Sequence, residues 1–272
     1  MTQILSIQSA VTYGFVGNSV AAPVITKLGL QPLLLDTVAL AAHPGYGTNA
    51  GGRPDNADFQ AILEAFAGLG LFSDLASVIT GYLGDVGQIA PIETMLKIWQ
   101  ATAPHGLYIL DPVLGDGGRL YVDADIVTAM QNQLLPRANI VTPNQFELGM
   151  LTAQTIRSFD QAIAAAQSLL DDHPRLNAVI ATGVTNAQHG ISDICISRSA
   201  NIELDYPKRP HGVAGGGDLL TAVLASWLTA GHDLPAAFTA ASKDAHHIID
   251  NSATAIEIAL FDNLDGLTPC GG

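Results

Sequence analysis

The sequence predicts a three-layer α/β fold, in which a doubly wound and mostly parallel central sheet is flanked by helices. Short apolar runs alternate with longer amphipathic runs, which is the order of elements in a parallel sheet with crossover helices. The 272 residues are 48% hydrophobic and 13% charged, against about 25% charged in ordinary globular domains. This length lies near the limit of about 250–300 residues for one hydrophobic core. We therefore expect residues 1–272 to form a single domain.

Eight segments are predicted to be strands. The first six are short apolar runs of the kind that a parallel sheet buries on both faces. The last two alternate apolar and polar residues across a short turn, which is typical of a β-hairpin. In chain order, the strands are predicted at residues 4–7, 33–38, 77–80, 107–110, 139–141, 178–182, 191–197 and 201–205.

Six longer segments are predicted to be helices, and their ends carry start and stop signals. Gly29 ends the first helix, because glycine adopts the left-handed conformation of a C-cap. Pro91 fits the first turn of the third helix, where no amide donor is needed. Ser158 and Gln161 form the pattern of a capping box at the start of the fourth. The helices are predicted at residues 17–28, 55–67, 89–103, 158–170, 217–230 and 234–251.

Charge and cysteine content exclude several classes of protein. The chain has 11 Lys and Arg against 25 Asp and Glu, too few cations for the basic surface that nucleic acid requires. Its high hydrophobic content excludes a disordered chain. No run approaches the ~20 apolar residues that span a bilayer, and no basic segment precedes the first apolar run as in a signal peptide. Cys195 and Cys270 show no disulfide or metal spacing, so we expect a cytoplasmic protein.

The most informative local motif is Gly215-Gly216-Gly217-Asp218, at the start of a predicted helix. Glycines allow a ligand to approach the backbone amides closely, and the free N–H groups and dipole of a helix N-terminus attract an anion. This motif predicts an anion site without cations, in which Asp218 can accept a proton beside a bound phosphate. The local alternative is a carboxylate that caps the helix after a flexible loop.

Two further motifs follow predicted strands. Asp111 and Asp116 come after strand 107–110, and Asn144 and Glu147 come after strand 139–141. Ligands bind at the carboxyl ends of the strands in such sheets, and carboxylates beside a phosphate are suited to Mg²⁺. The local alternatives are an Asp-Pro turn and the cap of a short helix. Together, the three motifs favour a site for phosphate and Mg²⁺.

With these motifs, the sequence resembles the pyridoxal kinase family of the ribokinase-like superfamily. The resemblance runs from about residue 4 to about residue 251 and covers nearly the whole chain. The segments that carry it are Ser6-Ile-Gln-Ser9, Gly14-Phe-Val-Gly-Asn18, Thr80-Gly-Tyr-Leu-Gly84, Asp111-Pro-Val-Leu-Gly-Asp116, Leu120-Tyr-Val122, Thr142-Pro-Asn-Gln-Phe-Glu147 and Gly215–Asp218.

The resemblance implies transfer of a phosphoryl group from ATP to the 5′-hydroxymethyl group of pyridoxal, pyridoxamine or pyridoxine. It also implies that the reaction uses Mg²⁺ and that the protein is a homodimer. Use of a monovalent cation such as K⁺ is left open. The residue roles that it implies are a catalytic base at Asp218; an anion hole at Gly215, Gly216 and Gly217; metal-binding acids at Asp111, Asp116 and Glu147; ATP contacts at Thr142, Asn144, Thr182 and Gly183; and a vitamer pocket of Ser9, Val16, Val38, His43 and Tyr82.

Three departures from the family pattern limit what the resemblance implies, and one of them is a short stretch between Gly115 and Tyr121. The other two lie in the vitamer loop, where they bear on the preferred vitamer, and in the anion hole, where the loop becomes looser. The chain has Ala42-His-Pro-Gly-Tyr46 where the family usually has Asn-His-Thr-Gly-Tyr, and Gly216 where Thr or Val is usual. Two other functions remain open, namely hydroxymethylpyrimidine kinase and a non-catalytic binder of vitamer or nucleotide on the same scaffold. Each vitamer-pocket residue also has a plausible packing role. His246 and His247 are adjacent on a predicted helix, so their rings point apart and do not share a metal.

Overall fold

The computed structural model describes residues 2–48, 50–188, 190–209, 212–252 and 256–271. A nine-stranded sheet forms the centre of these residues, in the order β11-β10-β9-β8-β5-β4-β1-β2-β3. β6 and β7 form a separate two-stranded hairpin. The strands are β1 (Gln3–Tyr13), β2 (Gln31–Ala42), β3 (Gly51–Gly52), β4 (Leu75–Thr80), β5 (Leu107–Leu110), β6 (Gly115–Asp116), β7 (Arg119–Leu120), β8 (Ile140–Val141), β9 (Ala178–Thr185), β10 (Ile191–Ser197) and β11 (Asn201–Tyr206).

The sheet confirms the predicted α/β class. Six neighbouring strands of the sheet, in the order β9-β8-β5-β4-β1-β2, are parallel to one another. β10 and β11 form the predicted antiparallel hairpin at one edge. At the other edge, β1 and β2 pair as far as Tyr13 and Ala42, well beyond their predicted ends. The residues at the end of β1 are exposed, so they lack the apolar run on which the prediction depended.

Helices cover both faces of this sheet, and all six predicted helices are present with ends shifted by at most two residues. They are α1 (Asn18–Lys27), α2 (Asn56–Gly68), α3 (Ile89–Thr102), α4 (Ala124–Ala129), α5 (Gln145–Leu151), α6 (Phe159–Asp172), α7 (Gly216–Thr229), α8 (Leu234–Asn251) and α9 (Leu260–Asn263). Within the part of the chain that the structure describes, none of these helices combines the length and the apolar character needed to cross a membrane.

One capping prediction is wrong in detail. Ser158 does accept a hydrogen bond from the Gln161 amide at 3.3 Å, but the Gln161 side chain accepts from the amide of Arg157 and not from that of Ser158. The reciprocal pair of bonds that defines a capping box is found instead between Asn144 and Glu147 at the start of α5. Both patterns satisfy free amides at a helix start, and only the tertiary environment decides which side chain turns back.

The hydrophobic core has two parts, one on each face of the sheet. On one face, α2 and α3 bury Phe59 and Trp99, and the indole N–H of Trp99 donates to the carbonyl oxygen of Leu75 at 3.0 Å. On the other face, α1, α7 and α8 bury residues such as Val24 and Phe238. The carboxyl ends of the parallel strands all lie at the same edge of this sheet, so the loops that follow them are held close together.

Candidate active site

The glycine loop at the start of α7 lies at this edge. Gly215 has a φ of +90°, and a Cβ atom there would lie 2.2 Å from the carbonyl oxygen of Phe15, so a side chain is excluded on both grounds. Gly217 is exposed and Gly216 lines a large cleft. The free amides of the first turn of α7 therefore face a space that a ligand can occupy.

Asp218 stands in the first turn of α7, between this loop and the turn before α1. The Gly17 amide hydrogen bonds to its carboxylate, and burial raises the pKa of this carboxyl above its usual value, although the hydrogen bond opposes the shift. Ser9 borders the same turn, because a Cβ atom on Gly17 would meet the Ser9 hydroxyl at 2.5 Å. The structure therefore brings the predicted base and one predicted vitamer residue to the same place.

Asp111 is a buried carboxylate that faces the glycine loop. The Thr221 hydroxyl donates to its Oδ2 at 3.1 Å, and Thr142 and Thr221 hydrogen bond to each other at 3.1 Å. Burial, followed by the negative charges of Glu147 and Asp218, raises the pKa of Asp111 well above its usual value. These acids are close enough to destabilise one another's charged forms, and a bound cation would relieve that repulsion.

Glu147 and Asn144 have the local capping roles that the sequence left open. One Glu147 oxygen accepts from the amides of Leu114 and Gly115 at 3.0 and 3.4 Å, and the other accepts from the Asn144 amide at 2.9 Å. The side-chain Nδ2 of Asn144 donates to the carbonyl oxygen of Gly115 at 2.8 Å. Burial raises the pKa of Glu147 to about 8, although its backbone hydrogen bonds oppose the shift. Their contacts with metal or nucleotide stay predictions.

The predicted metal-binding acids are not gathered into one compact group. Asp116 is exposed on the β6–β7 hairpin, where its side chain accepts from the Gly117 amide at 2.6 Å. Among the described residues, no three His, Cys, Asp or Glu side chains are placed to hold a metal ion between them. The oxygens of these acids suit Mg²⁺, which keeps several waters and binds through one or two carboxylates together with phosphate.

A cleft of about 820 Å³ opens beside the glycine loop, where the resemblance predicts the nucleotide. Six of the predicted residues line this cleft, namely Asp116, Asn144, Thr182, Gly183, Gly216 and Gly217. Thr142 does not line it and instead hydrogen bonds to Thr221 behind it. The cleft also contains two cations that the sequence analysis missed, Lys208 and Arg209. They follow the hairpin of β10 and β11 and had no motif around them.

A buried network below the cleft was also missed. Asp193 is 1% exposed and accepts from the Gly183 amide at 3.0 Å and the Ser242 hydroxyl at 2.8 Å. The Nε2 of His246 lies 3.0 Å from Asp193, and its Nδ1 lies 3.2 Å from Arg209. His246 and His247 do point apart as expected, but His246 connects Arg209 to the loop of Gly183. Its only signal in the sequence is the His pair, which was set aside as a shared metal site.

The other predicted vitamer residues lie outside the nucleotide cleft, around the ends of β1, β2 and β4. The Tyr82 carbonyl oxygen accepts from the Thr37 hydroxyl at 2.6 Å, which ties the loop after β4 to the middle of β2. Val38 packs on the backbone of Gly84, and Val16 lies in the turn before α1. His43 is buried, and its Nδ1 accepts from the Gly45 amide at 3.1 Å.

The chain is similar to known kinases in both sequence and structure. The sequence model of the family described as phosphomethylpyrimidine kinase matches residues 70–259. A pyridoxine/pyridoxal/pyridoxamine kinase from Bordetella avium is 34% identical over 242 residues, which are 88% of this chain and 82% of that protein. The crystal structure of pyridoxal kinase from Entamoeba histolytica is 27% identical with a TM-score of 0.92, over 100% of this chain and 97% of the other. Pyridoxal kinase from Leishmania donovani, in complex with ADP and pyridoxamine, is 25% identical with a TM-score of 0.90, over 98% and 96% of the two chains.

The fold and the site define a small-molecule kinase of the ribokinase-like class, with a nucleotide cleft and a glycine loop at the carboxyl edge of the sheet. Within that class, the chain belongs to the pyridoxal kinase family. The resemblance drawn from the motifs is thereby confirmed.

Proposed function

We propose that this protein is an ATP-dependent pyridoxal kinase that phosphorylates the 5′-hydroxymethyl group of pyridoxal, pyridoxamine and pyridoxine. The relatives named above carry this activity in their names, and one of them is a complex with ADP and pyridoxamine. The observation that carries the proposal is the position of Asp218, which lies between the glycine loop beside the nucleotide cleft and the turn that contacts Ser9.

Asp218 acts as the general base in this proposal. A base works best when its pKa approaches the operating pH, and burial shifts the pKa of Asp218 in that direction. The attacking hydroxyl donates its proton to this carboxylate as its oxygen bonds to the γ-phosphorus of ATP, while the bond from that phosphorus to the bridging oxygen breaks and ADP leaves. Phosphoryl transfer depends mainly on alignment and on stabilising charge at the equatorial oxygens. The amides of Gly215, Gly216 and Gly217 supply that stabilisation at the N-terminus of α7.

Asp111, Asp116 and Glu147 would hold Mg²⁺ with the ATP phosphates. The support is the chemistry of the donors: Asp111 and Glu147 are carboxylates whose pKa is raised by burial, and no Lys or Arg among the described residues forms a salt bridge with either. When bound, the ion would neutralise charge on the phosphates. The exposed Asp116 is positioned to act through water. A monovalent cation stays a proposal that rests on the resemblance alone.

The nucleotide would lie in the cleft along Asn144, Thr182 and Gly183, with Lys208 and Arg209 near its anionic groups. These two residues modify the expectation of an anion site without cations, since they bring two of the chain's 11 cations to the cleft. Thr142 would act indirectly, by holding Thr221 and through it Asp111.

Ser9, Val16, Val38, His43 and Tyr82 would form the vitamer pocket on the other side of the glycine loop. An aromatic alcohol needs an apolar slot with a few hydrogen-bonding groups. His43 and Tyr82 offer such groups, and Val16 and Val38 offer apolar walls. Pro44 replaces a family Thr in this loop, so the loop lacks one hydroxyl for recognition of the ring. We further propose a cytoplasmic homodimer, on the resemblance alone.

Hydroxymethylpyrimidine kinase is the second candidate, because the matching family model has a phosphomethylpyrimidine description. The purified protein should be given Mg-ATP with pyridoxal, pyridoxamine, pyridoxine or hydroxymethylpyrimidine in separate reactions, and ADP release measured. We expect turnover with at least one of the three B6 vitamers. Turnover with hydroxymethylpyrimidine alone would support the second candidate. Binding without turnover in any reaction would support a non-catalytic binder.

A further inference from the structure

Glu257 is a buried carboxylate that no motif in the sequence pointed to. It lies between α8 and α9, far along the chain from the residues that it contacts. Its Oε2 accepts from the Phe15 amide at 2.8 Å and lies 3.9 Å from Nε2 of His43. Both side chains are only 11% exposed. This carboxylate therefore contacts the turn before α1 and the loop after β2, which hold predicted vitamer residues.

The tautomer of His43 places the ring N–H on the nitrogen that faces this carboxylate. Nδ1 accepts a hydrogen bond from the Gly45 amide at 3.1 Å, so Nε2 carries the hydrogen of a neutral ring. Within the described parts of the chain, this buried Nε2 has no hydrogen-bond partner. The carboxylate of Glu257 is beyond hydrogen-bonding distance, but its charge attracts the N–H dipole in a site shielded from water.

Nearby structure holds Glu257 in this position. The backbone on either side of it pairs with Ala214, next to the glycine loop, through bonds of 3.2 and 3.0 Å. A Cβ atom on Gly14, which has a φ of +100°, would lie 2.1 Å from the Glu257 Oε2 atom. Burial and then Glu257 raise the pKa of Tyr46 to about 12, and the rings of Tyr46 and His43 pack edge to face at 4.9 Å.

We propose that Glu257 is a positioning residue for vitamer binding, which orients His43 by its charge and fixes the turn of Phe15 by its hydrogen bond. The inference rests on the proposed function, since it assigns His43 to the vitamer pocket. Glu257 does not line the nucleotide cleft, so its effect falls on the vitamer and not on ATP. Two substitutions separate its two contacts. Gln keeps an oxygen for the Phe15 amide and removes the charge, whereas Ala removes both.

The test measures KM for pyridoxal, KM for ATP, and kcat in the wild type and in the variants named below. Glu257 acts on His43 by its charge at 3.9 Å, and a contact of this kind contributes up to about 1 kcal/mol, which corresponds to about fivefold in affinity. We therefore expect Glu257→Gln to raise the KM for pyridoxal about fivefold and leave the KM for ATP unchanged. In the His43→Ala background, the same Gln substitution should have little further effect, because coupled residues are not additive. Glu257→Ala should raise the KM for pyridoxal further.

Asp244→Asn is the matched control. Asp244 is also a largely buried carboxylate, and it tethers the C-terminal segment by accepting from the amide and hydroxyl of Thr268 at 2.9 and 2.7 Å. The Asp244→Asn substitution should lower the melting temperature without changing the KM for pyridoxal. If the Ala variant fails to fold, the Gln variant still decides the question.

Three outcomes would overturn the inference. One is wild-type constants for Glu257→Gln, and another is an equal rise in KM for pyridoxal and for ATP. The third is an undiminished effect of the Gln substitution without His43. Wild-type protein that turns over no vitamer would overturn the proposed function itself and this inference with it. Wild-type turnover with an unchanged Gln variant overturns only the inference.

Discussion

Asp218→Asn tests the catalytic mechanism most directly. The substitution keeps the size of the side chain and an oxygen for the Gly17 amide, but the new side chain cannot accept the hydroxyl proton. General base catalysis contributes about 10²–10⁴-fold, which corresponds to about 2.7–5.4 kcal/mol of activation free energy. We expect kcat to fall by this factor while KM for ATP and pyridoxal stay near their wild-type values.

The same substitution has a predicted sign for stability and pH. Burial raises the pKa of Asp218 in the folded state, so the charged carboxylate is disfavoured there and its loss should not lower the melting temperature at neutral pH. In the wild-type enzyme, the rate should rise with pH as this base loses its proton, with a midpoint above the usual carboxyl range. The Asn variant should lose that rise.

Steady-state ADP release gives the constants, and Asp160→Asn is the control. Asp160 also occupies the first turn of a helix, but on the exposed side of α6 and far along the chain from the site. It should retain the wild-type rate. A rate for Asp218→Asn within roughly tenfold of wild type, or a loss confined to KM, would refute the assignment of the base.

Three other substitutions test the structure around the site and in the core. The pKa of Glu147 rises from 4.5 to about 8 on folding, so the stability that its protonated form contributes is present at low pH and is lost as the pH rises through that interval. The melting temperature should therefore fall less steeply with rising pH in Glu147→Gln than in the wild type. Equal slopes would contradict this. Gly14→Ala should cost about 1–3 kcal/mol, because Gly14 has a φ of +100° and its Cβ would clash with Glu257; an unchanged urea midpoint would exclude the clash. Trp99→Ala removes a fully buried ring and its bond to Leu75, so urea unfolding should show a loss of about 3–5 kcal/mol, and a loss under about 1 kcal/mol would show that the site collapses.

Local sequence patterns predicted the ends of an element correctly wherever capping residues or apolar runs coincided with the buried part of that element. The helix Leu234–Asn251 has its predicted ends, because Asp233 caps its first turn and Pro235 favours that turn. Strands β5 and β10 also have their predicted bounds, because their apolar runs coincide with the buried parts of the sheet. β1 and β2 extend beyond their apolar runs, since main-chain pairing between neighbours continues where the side chains are exposed.

The candidate site divides in the same way. Asp111, Asn144 and Asp218 were found because each follows a strand or begins a helix, where short motifs have a physical reason. Arg209 and Glu257 were missed, because their neighbours in sequence carry no signal and their partners lie far away along the chain.

The sequence by itself determined the order of the main strands and longer helices, the glycine loop and the acids at the strand ends, because these depend on the spacing of buried residues and on local backbone chemistry. Only the tertiary structure decided which residues at the ends of those elements contact one another. It placed Asp218 against Gly17, connected Arg209 through His246 to Gly183, and brought Glu257 beside His43. Such contacts join residues that are distant along the chain, and they form only when the sheet brings its strand ends to one edge.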